Sequence, residues 1–262
     1  MSGSDSKAPG SAGGYLLPAS FPEADFRAFG LAATAFFLGV VSDEALFDPE
    51  EKRRHFDWSW QAVRYRYRSC AECNGEFKTL LADASDMWKA GWGDEELLYK
   101  LERCICMFFT SALSVFDSFS FCLYFYGNAL EPGVFPQVGN PRAITRNSTA
   151  KAFTAAFPKA RITGLLAGLS KDTRFGTIDT VRNLVGHRIS GRRSVRASST
   201  MHPDGTHTHW REETWHLPGA AGTLAFDDEM LQRHLDDVTA LLASLASAAR
   251  EFAEAERASR KP

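Results

Sequence analysis

The chain has 262 residues, of which 44% are hydrophobic and 24% are charged, and its formal net charge at pH 7 is −2. These values are ordinary for a globular protein with a substantial core. The overall charge gives no indication of a polyanionic partner such as nucleic acid. Any sign of nucleic-acid binding must therefore come from local clusters of charge.

The amino-terminal segment differs in composition from the rest of the chain. Residues 1–14 are rich in Gly, Ser and Ala, and we predict a disordered tail over about 1–20 followed by one helical domain over 21–262. The tail lacks the apolar core of a signal peptide. Residues 28–41 form an apolar run too short to span a bilayer, so we predict a buried helix there.

A second, long helix is predicted from Glu51 to about residue 84, since Pro49 and two acids make a good helix start. Arginines 64, 66 and 68 alternate with Tyr65 and Tyr67, a pattern that can bind single-stranded nucleic acid. Successive side chains on a helix point in different directions, however. We therefore expect the tyrosines to pack and the arginines to face solvent.

The cysteines form a C-x-x-C at residues 70–73 and a C-x-C at 104–106. Four thiolates can hold zinc, but residues two apart on a helix project about 200° from each other. Small buried apolar residues are the better interpretation. Five cysteines without a secretion signal favour a reducing, cytoplasmic location.

Residues 94–128 are predicted to form the central helix, which is apolar nearly all round between 104 and 126. A membrane span is disfavoured because Asp117 and several hydroxyl side chains lie at its middle. We expect a helix buried by other helices or by a partner subunit, with no membrane contact. Asp117 then requires a polar partner.

Shorter elements follow. Prolines and glycines mark a loop over 132–141, and helical patterns resume over 148–157 and 158–169. A β-hairpin is predicted over about 193–217, with Pro203, Asp204 and Gly205 as its turn. An amphipathic helix over 227–258 closes the chain.

The stretch 170–190 carries the most informative motif. Ser170 or Asp172 can cap a helix whose apolar face is formed by residues 175, 178, 181, 184, 185 and 189. Asp179, Asn183 and His187 form a second stripe facing away from the core, and Arg182 lies on the border. The fifteen residues from 182 to 196 contain no acid and five arginines, a basic cluster that can indicate a polyanionic partner: Arg182, Arg188, Arg192, Arg193 and Arg196.

Arg182, Asn183 and His187, with a four-residue spacer between arginine and histidine, resemble the signature of the HEPN superfamily of helical-bundle proteins. The resemblance implies a mainly α bundle of the HEPN type with a small hairpin before the last helix. It also implies a metal-independent endoribonuclease without cofactors, of the kind found in toxin–antitoxin and defence systems. Arg182, Asn183 and His187 would then be catalytic, in motifs paired across a homodimer, and Asp117 would support them.

The residues add roles to this hypothesis and leave alternatives open. Arg188, Arg192, Arg193 and Arg196 are expected to bind RNA, and a cognate antitoxin or regulator is a further possible partner. A non-catalytic bundle that binds a protein or nucleic acid is one alternative. The other is a metal site on the hairpin built from His202, His207, His209 and His216, although His216 has the wrong strand parity to join His207 and His209.

Overall fold

The computed structural model describes residues 17–40, 49–89, 95–136, 141–187, 192–216, 223–225 and 227–260. Its helices are α1 Glu23–Val40, α2 Pro49–Lys89, α3 Glu95–Leu130, α4 Arg146–Ala156, α5 Arg161–Gly168, α6 Thr173–His187 and α7 Met230–Ser259. Its strands are β1 Arg192–Met201, β2 His207–His216 and β3 Thr223–Ala225. The mainly α prediction, with a small β-hairpin before the last helix, is confirmed.

The two longest helices, α2 and α3, lie against each other and form the largest interface between elements. Each helix has acidic residues in its first turn, including Glu50 and Glu95. Their negative charges interact favourably with the positive end of the helix dipole and stabilise the helix. The α1 helix packs mainly on α7, while α4 and α6 both pack on α3. The central position predicted for α3 follows from these contacts.

Aromatic side chains fill the core around α3. Phe29 packs edge-to-face on Phe56 and Tyr126, and Phe26 stacks on the Trp60 ring at 3.6 Å between centroids. Phe26, Phe29 and Phe56 are each at most 1% exposed. Burial of a large apolar side chain contributes about 1.5–3 kcal/mol, so this cluster is a main source of the bundle's stability.

Among the described residues, α3 is the one helix long and apolar enough to cross a membrane by length and composition, and 61% of its most apolar window is buried inside the molecule. The core helix of a soluble bundle has the same composition. The burial that the sequence predicted for this helix is provided largely by the chain's own helices.

Residues 17–20, which the sequence assigned to the tail, pack against the helical body. Leu17 lies on the core, and Ser20 Oγ accepts a hydrogen bond of 2.8 Å from the Tyr67 hydroxyl. The remainder of the predicted tail, residues 1–16, lies outside the described residues. Tyr67 is fully buried as expected, whereas Tyr65 is 47% exposed and departs from the expectation that both tyrosines pack.

The hairpin forms with the predicted turn. Gly205 adopts a φ of +82°, a conformation that glycine tolerates without strain. Asp204 Oδ1 accepts from the Thr206 backbone N–H at 2.9 Å and fixes the turn. The third strand, β3, was not anticipated and pairs antiparallel with β2. Trp215, 2% exposed, joins the hydrophobic core and holds the base of the hairpin, while the tip over 201–208 is exposed.

Candidate functional site

The α6 helix presents its predicted apolar face to the core. Asp172 Oδ1 accepts from the Arg174 backbone N–H at 2.9 Å, so Asp172 caps the helix start. Phe175, Ile178 and Val181 are buried, and residues 184 and 185 are partly buried against the same core. The apolar face is confirmed for these positions, whereas Ile189 lies outside the described residues.

The second stripe of α6 lies on the outer side of the helix, as predicted. Asn183 is exposed, and Asp179 and Arg182 are half-buried beside it. Arg182 Nη1 donates to Asn183 Oδ1 at 2.9 Å, so the amide holds the neighbouring guanidinium. The helix extends to His187, but the side chain of His187 lies outside what the structure describes.

Asp117 meets an arginine that the sequence did not single out. Arg146, the first residue of α4, places Nε 3.1 Å from Asp117 Oδ1 and Nη2 3.6 Å from Asp179 Oδ1. Its guanidinium also lies 4.7 Å from the centre of the Phe175 ring. Arg146 therefore connects α3, α4 and α6 at one point. The partner that Asp117 was predicted to require is this residue.

Asp117 and Arg182 lie within electrostatic reach of each other. Desolvation raises the pKa of Asp117 above its ordinary value, while the positive charges of Arg146 and Arg182 act to lower it. A carboxyl group perturbed in this way beside cations is typical of functional sites, although structural ion pairs have the same effect. Asp117 is thus connected to the motif helix through Arg146 and Asp179.

A third arginine contributes to this charged group. Arg66 of α2 donates from Nε to Ser118 Oγ at 3.2 Å and also lowers the pKa of Asp117. Guanidinium groups from α2, α4 and α6 therefore act on Asp117 together. Planar guanidinium groups can bind phosphate oxygens.

The charged group borders a cleft of 710 Å³ between α2, α3 and the start of α4. Its polar end contains Asp117, Ser118 and Arg146. Its other end is aromatic and is formed by His55, Trp58 and Phe121. A cleft of this size, lined by both aromatic and polar side chains, is typical of small-ligand sites.

The expected RNA-binding arginines occupy the hairpin and its approach. Arg196 is exposed on β1, but β2 places Glu212 directly opposite it and Glu213 opposite Val195. The strand register thus sets two acidic positions of β2 opposite the middle of β1. Arg188 lies outside the described residues, and so do the side chains of Arg192 and Arg193.

The candidate metal ligands are not grouped in the described part of the chain, where no three His, Cys, Asp or Glu side chains converge. The β1–β2 register runs from Arg192 opposite His216 to Met201 opposite His207 without a bulge, so His216 keeps the opposite parity to His207. His202 Nε2 lies 2.5 Å from Thr208 Oγ1. The cysteines are free, and Cys70, Cys104 and Cys122 are buried.

Arg146, His55 and Trp58 are the cleft residues that sequence reasoning missed. Arg146 had no motif around it, although the capping box of Thr145 and Ser148 fixes the start of its helix. His55 and Trp58 are three residues apart and share one face of α2. The sequence shows that spacing, but it does not show that this face of α2 packs beside α3 and the start of α4.

The chain matches no protein-family model, no curated protein and no solved structure. The geometry of the site is therefore the basis for interpreting its chemistry.

Proposed function

We propose that this protein is a metal-independent endoribonuclease of the HEPN type that acts as a homodimer, in a toxin or defence role. The main support is the bridge that Arg146 forms between Asp117 on the central helix and Asp179, which lies three residues before Arg182 of the R-x4-H motif. Arg146 and Arg66 add positive charge at the same place, as binding of a phosphodiester requires.

The reaction needs a base for the 2′-hydroxyl, stabilisation of the phosphorane and an acid for the leaving oxygen. The 2′-oxygen forms a bond to phosphorus as the bond to the 5′-oxygen breaks, which yields a cyclic phosphate and a free 5′-hydroxyl. Histidine has an unperturbed pKa of about 6.5, which suits proton transfer, and His187 takes this role. Arg182 offsets the charge that develops on the phosphorane.

Asn183 acts as a positioning residue in this scheme. It accepts a hydrogen bond from the Arg182 guanidinium and limits the orientations available to that side chain. One histidine cannot readily serve as base and acid in the same step. A second copy of the motif, contributed by the partner subunit, would supply the other proton-transfer group.

The test is cleavage of single-stranded RNA in EDTA by the wild-type chain and by single variants. His187→Ala should lower the cleavage rate by about 10²–10⁴, and Arg182→Ala should lower it comparably. Arg174→Ala is the matched control, because Arg174 lies on the same helix and pairs with Asp172 instead. RNA with a 2′-deoxy residue at the cleavage position should remain intact. Equal cleavage by His187→Ala and wild type would refute the proposal.

A non-catalytic binding protein is the second candidate, and the exposed Arg196 on β1 favours it. Replacing Arg192 and Arg193 by Ala should weaken RNA binding and reduce its salt slope by about 1.4 if both contact phosphates of a single strand. If the chain is a nuclease, cleavage at saturating RNA should survive this change. RNA binding without cleavage, even at high enzyme concentration, would favour the second candidate.

A further inference from the structure

We infer that the cleft between α2, α3 and α4 is a nucleobase-binding subsite that seats a purine of the substrate strand beside the cleaved phosphate. The assignment of that base to a cleaved RNA rests on the proposed function, whereas the binding of a base in the cleft can be tested without any cleavage.

The aromatic end of the cleft provides a stacking surface. Trp58 is 61% exposed although it lines the cleft, so one face of its indole is available to a ligand. The His55 ring stacks on Phe125 at 4.7 Å between centroids and meets Phe121 edge-on at 6.2 Å. His55 is thereby held in place next to Trp58, whose ring it meets edge-on at 5.8 Å.

The polar end of the cleft provides groups for the rest of a nucleotide. Asp117 can accept from the N–H groups on the edge of a base, as carboxylates do in base recognition. Arg146 lines the cleft and also reaches Asp179, which lies on α6 one turn before Arg182. The phosphate attached to a base bound in the cleft would therefore lie on the side of the cleft that faces α6 and Arg182.

The chemistry of the cleft favours a nucleotide over a purely apolar ligand. Among the described residues, Arg146 Nη1 is buried without a hydrogen-bond partner. A hydrophobic molecule would leave this donor unsatisfied, which is costly, whereas a nucleotide can supply an acceptor. A nucleotide offers both a π-face for Trp58 and donors and acceptors for the polar end. The cleft volume of 710 Å³ accommodates a bicyclic base, and a purine stacks over a larger area than a pyrimidine.

Binding of 5′-AMP and 5′-CMP to the full chain, measured by calorimetry, tests the inference directly. We expect AMP to bind more tightly than CMP, and Trp58→Ala to weaken AMP binding by about 5- to 150-fold, the range for loss of one base–aromatic stack. Trp58→Phe keeps a ring and should retain most of the affinity. Tyr99→Ala is the control, since Tyr99 is an equally exposed aromatic residue outside the cleft.

The outcomes separate this inference from the proposed function. AMP binding that depends on Trp58, in a protein that cleaves no RNA, would support the subsite and refute the nuclease. RNA cleavage that depends on His187 but is unchanged in rate and position by Trp58→Ala would support the nuclease and refute the subsite. Failure of AMP to bind the wild-type chain at millimolar concentration, or equal binding by Trp58→Ala, would also overturn the subsite.

Discussion

Arg146 joins three helices through one side chain. Its guanidinium lies between Asp117 and Asp179 and against the Phe175 ring, and 26% of the side chain is exposed. Removing it would leave two carboxylates close together without the cation between them. The residue is therefore expected to support both the stability of the site and its charge.

Arg146→Ala should lower the free energy of unfolding by about 1–2 kcal/mol, because an ion-pair network and a cation–π contact are lost together. The measurement is urea unfolding followed by circular dichroism. Arg161→Ala provides the control, since Arg161 makes one exposed ion pair with Glu251 and should change stability by less than about 0.5 kcal/mol. Equal effects of the two substitutions would show that the bridge is not structural.

His234 is expected to make stability depend on pH. Burial, reinforced by the nearby charge of Arg233, lowers the pKa of His234 from 6.5 to about 4. The unfolded chain thus takes up a proton at a higher pH than the folded chain. The stability that comes from keeping this histidine neutral is complete above pH 6.5 and is lost as the pH falls towards and below 4.

His234→Leu should remove this contribution, which amounts to at most about 1.4 kcal/mol per pH unit within that window. The check is the difference in unfolding free energy between wild type and variant, measured between pH 4 and 6.5. Titrating groups common to both proteins cancel in that difference. Parallel pH curves for wild type and His234→Leu would contradict the prediction.

At the scale of elements, the end of α3 packs closely against the segment that follows it, where the backbone at Gly127 contacts the Phe135 ring. A Cβ added at Gly127 would lie 2.6 Å from two atoms of the Phe135 ring. Phe135 is fully buried and packs edge-on against Tyr124 and Phe153, so it has little room to move. The glycine is thus required by packing and not by backbone conformation.

Gly127→Ala should destabilise the protein by about 1–3 kcal/mol, because overpacking exceeds the gain of about 1 kcal/mol in helix propensity. Gly75→Ala is the matched substitution in α2, where an added Cβ meets nothing within 4 Å. It should stabilise the protein by about 0.5–1 kcal/mol. Thermal unfolding of both variants tests the pair, and two changes of the same sign would contradict the packing argument.

For the whole molecule, the proposed mechanism requires two copies of the motif. The apolar surface of α3 does not by itself demand a second subunit, since other helices of the same chain cover most of it. The expectation of a dimer therefore depends on the chemistry of a single histidine per motif.

Light scattering over the micromolar range should give the mass of a dimer, about twice 29.0 kDa. Mixing inactive His187→Ala with wild-type chains should reduce activity by more than dilution alone, because mixed dimers contain one defective motif. A monomer at all concentrations would remove the paired-motif mechanism.

The sequence by itself determined the kind and order of the helices and of the two hairpin strands, but not β3. Helical periodicity predicted α1 to α7 to within a few residues at most ends, and the Pro203-Asp204-Gly205 turn predicted the hairpin. These signals are local, since a helix face or a tight turn is specified by residues close together in the chain. The apolar face of α6 was predictable for the same reason.

Only the tertiary structure decided which side chains share the site. Asp117, Arg146 and Asp179 belong to three helices, and their meeting depends on how α4 and α6 pack on α3. The aromatic end of the cleft likewise requires α2 and α3 to align His55 with Phe121. The strand pairing is a further example, because the register of β1 and β2 places Glu212 opposite Arg196, although the two residues are sixteen positions apart in the sequence. Charge and chemistry at a site depend on distances in space, and no local pattern in the chain specifies those distances.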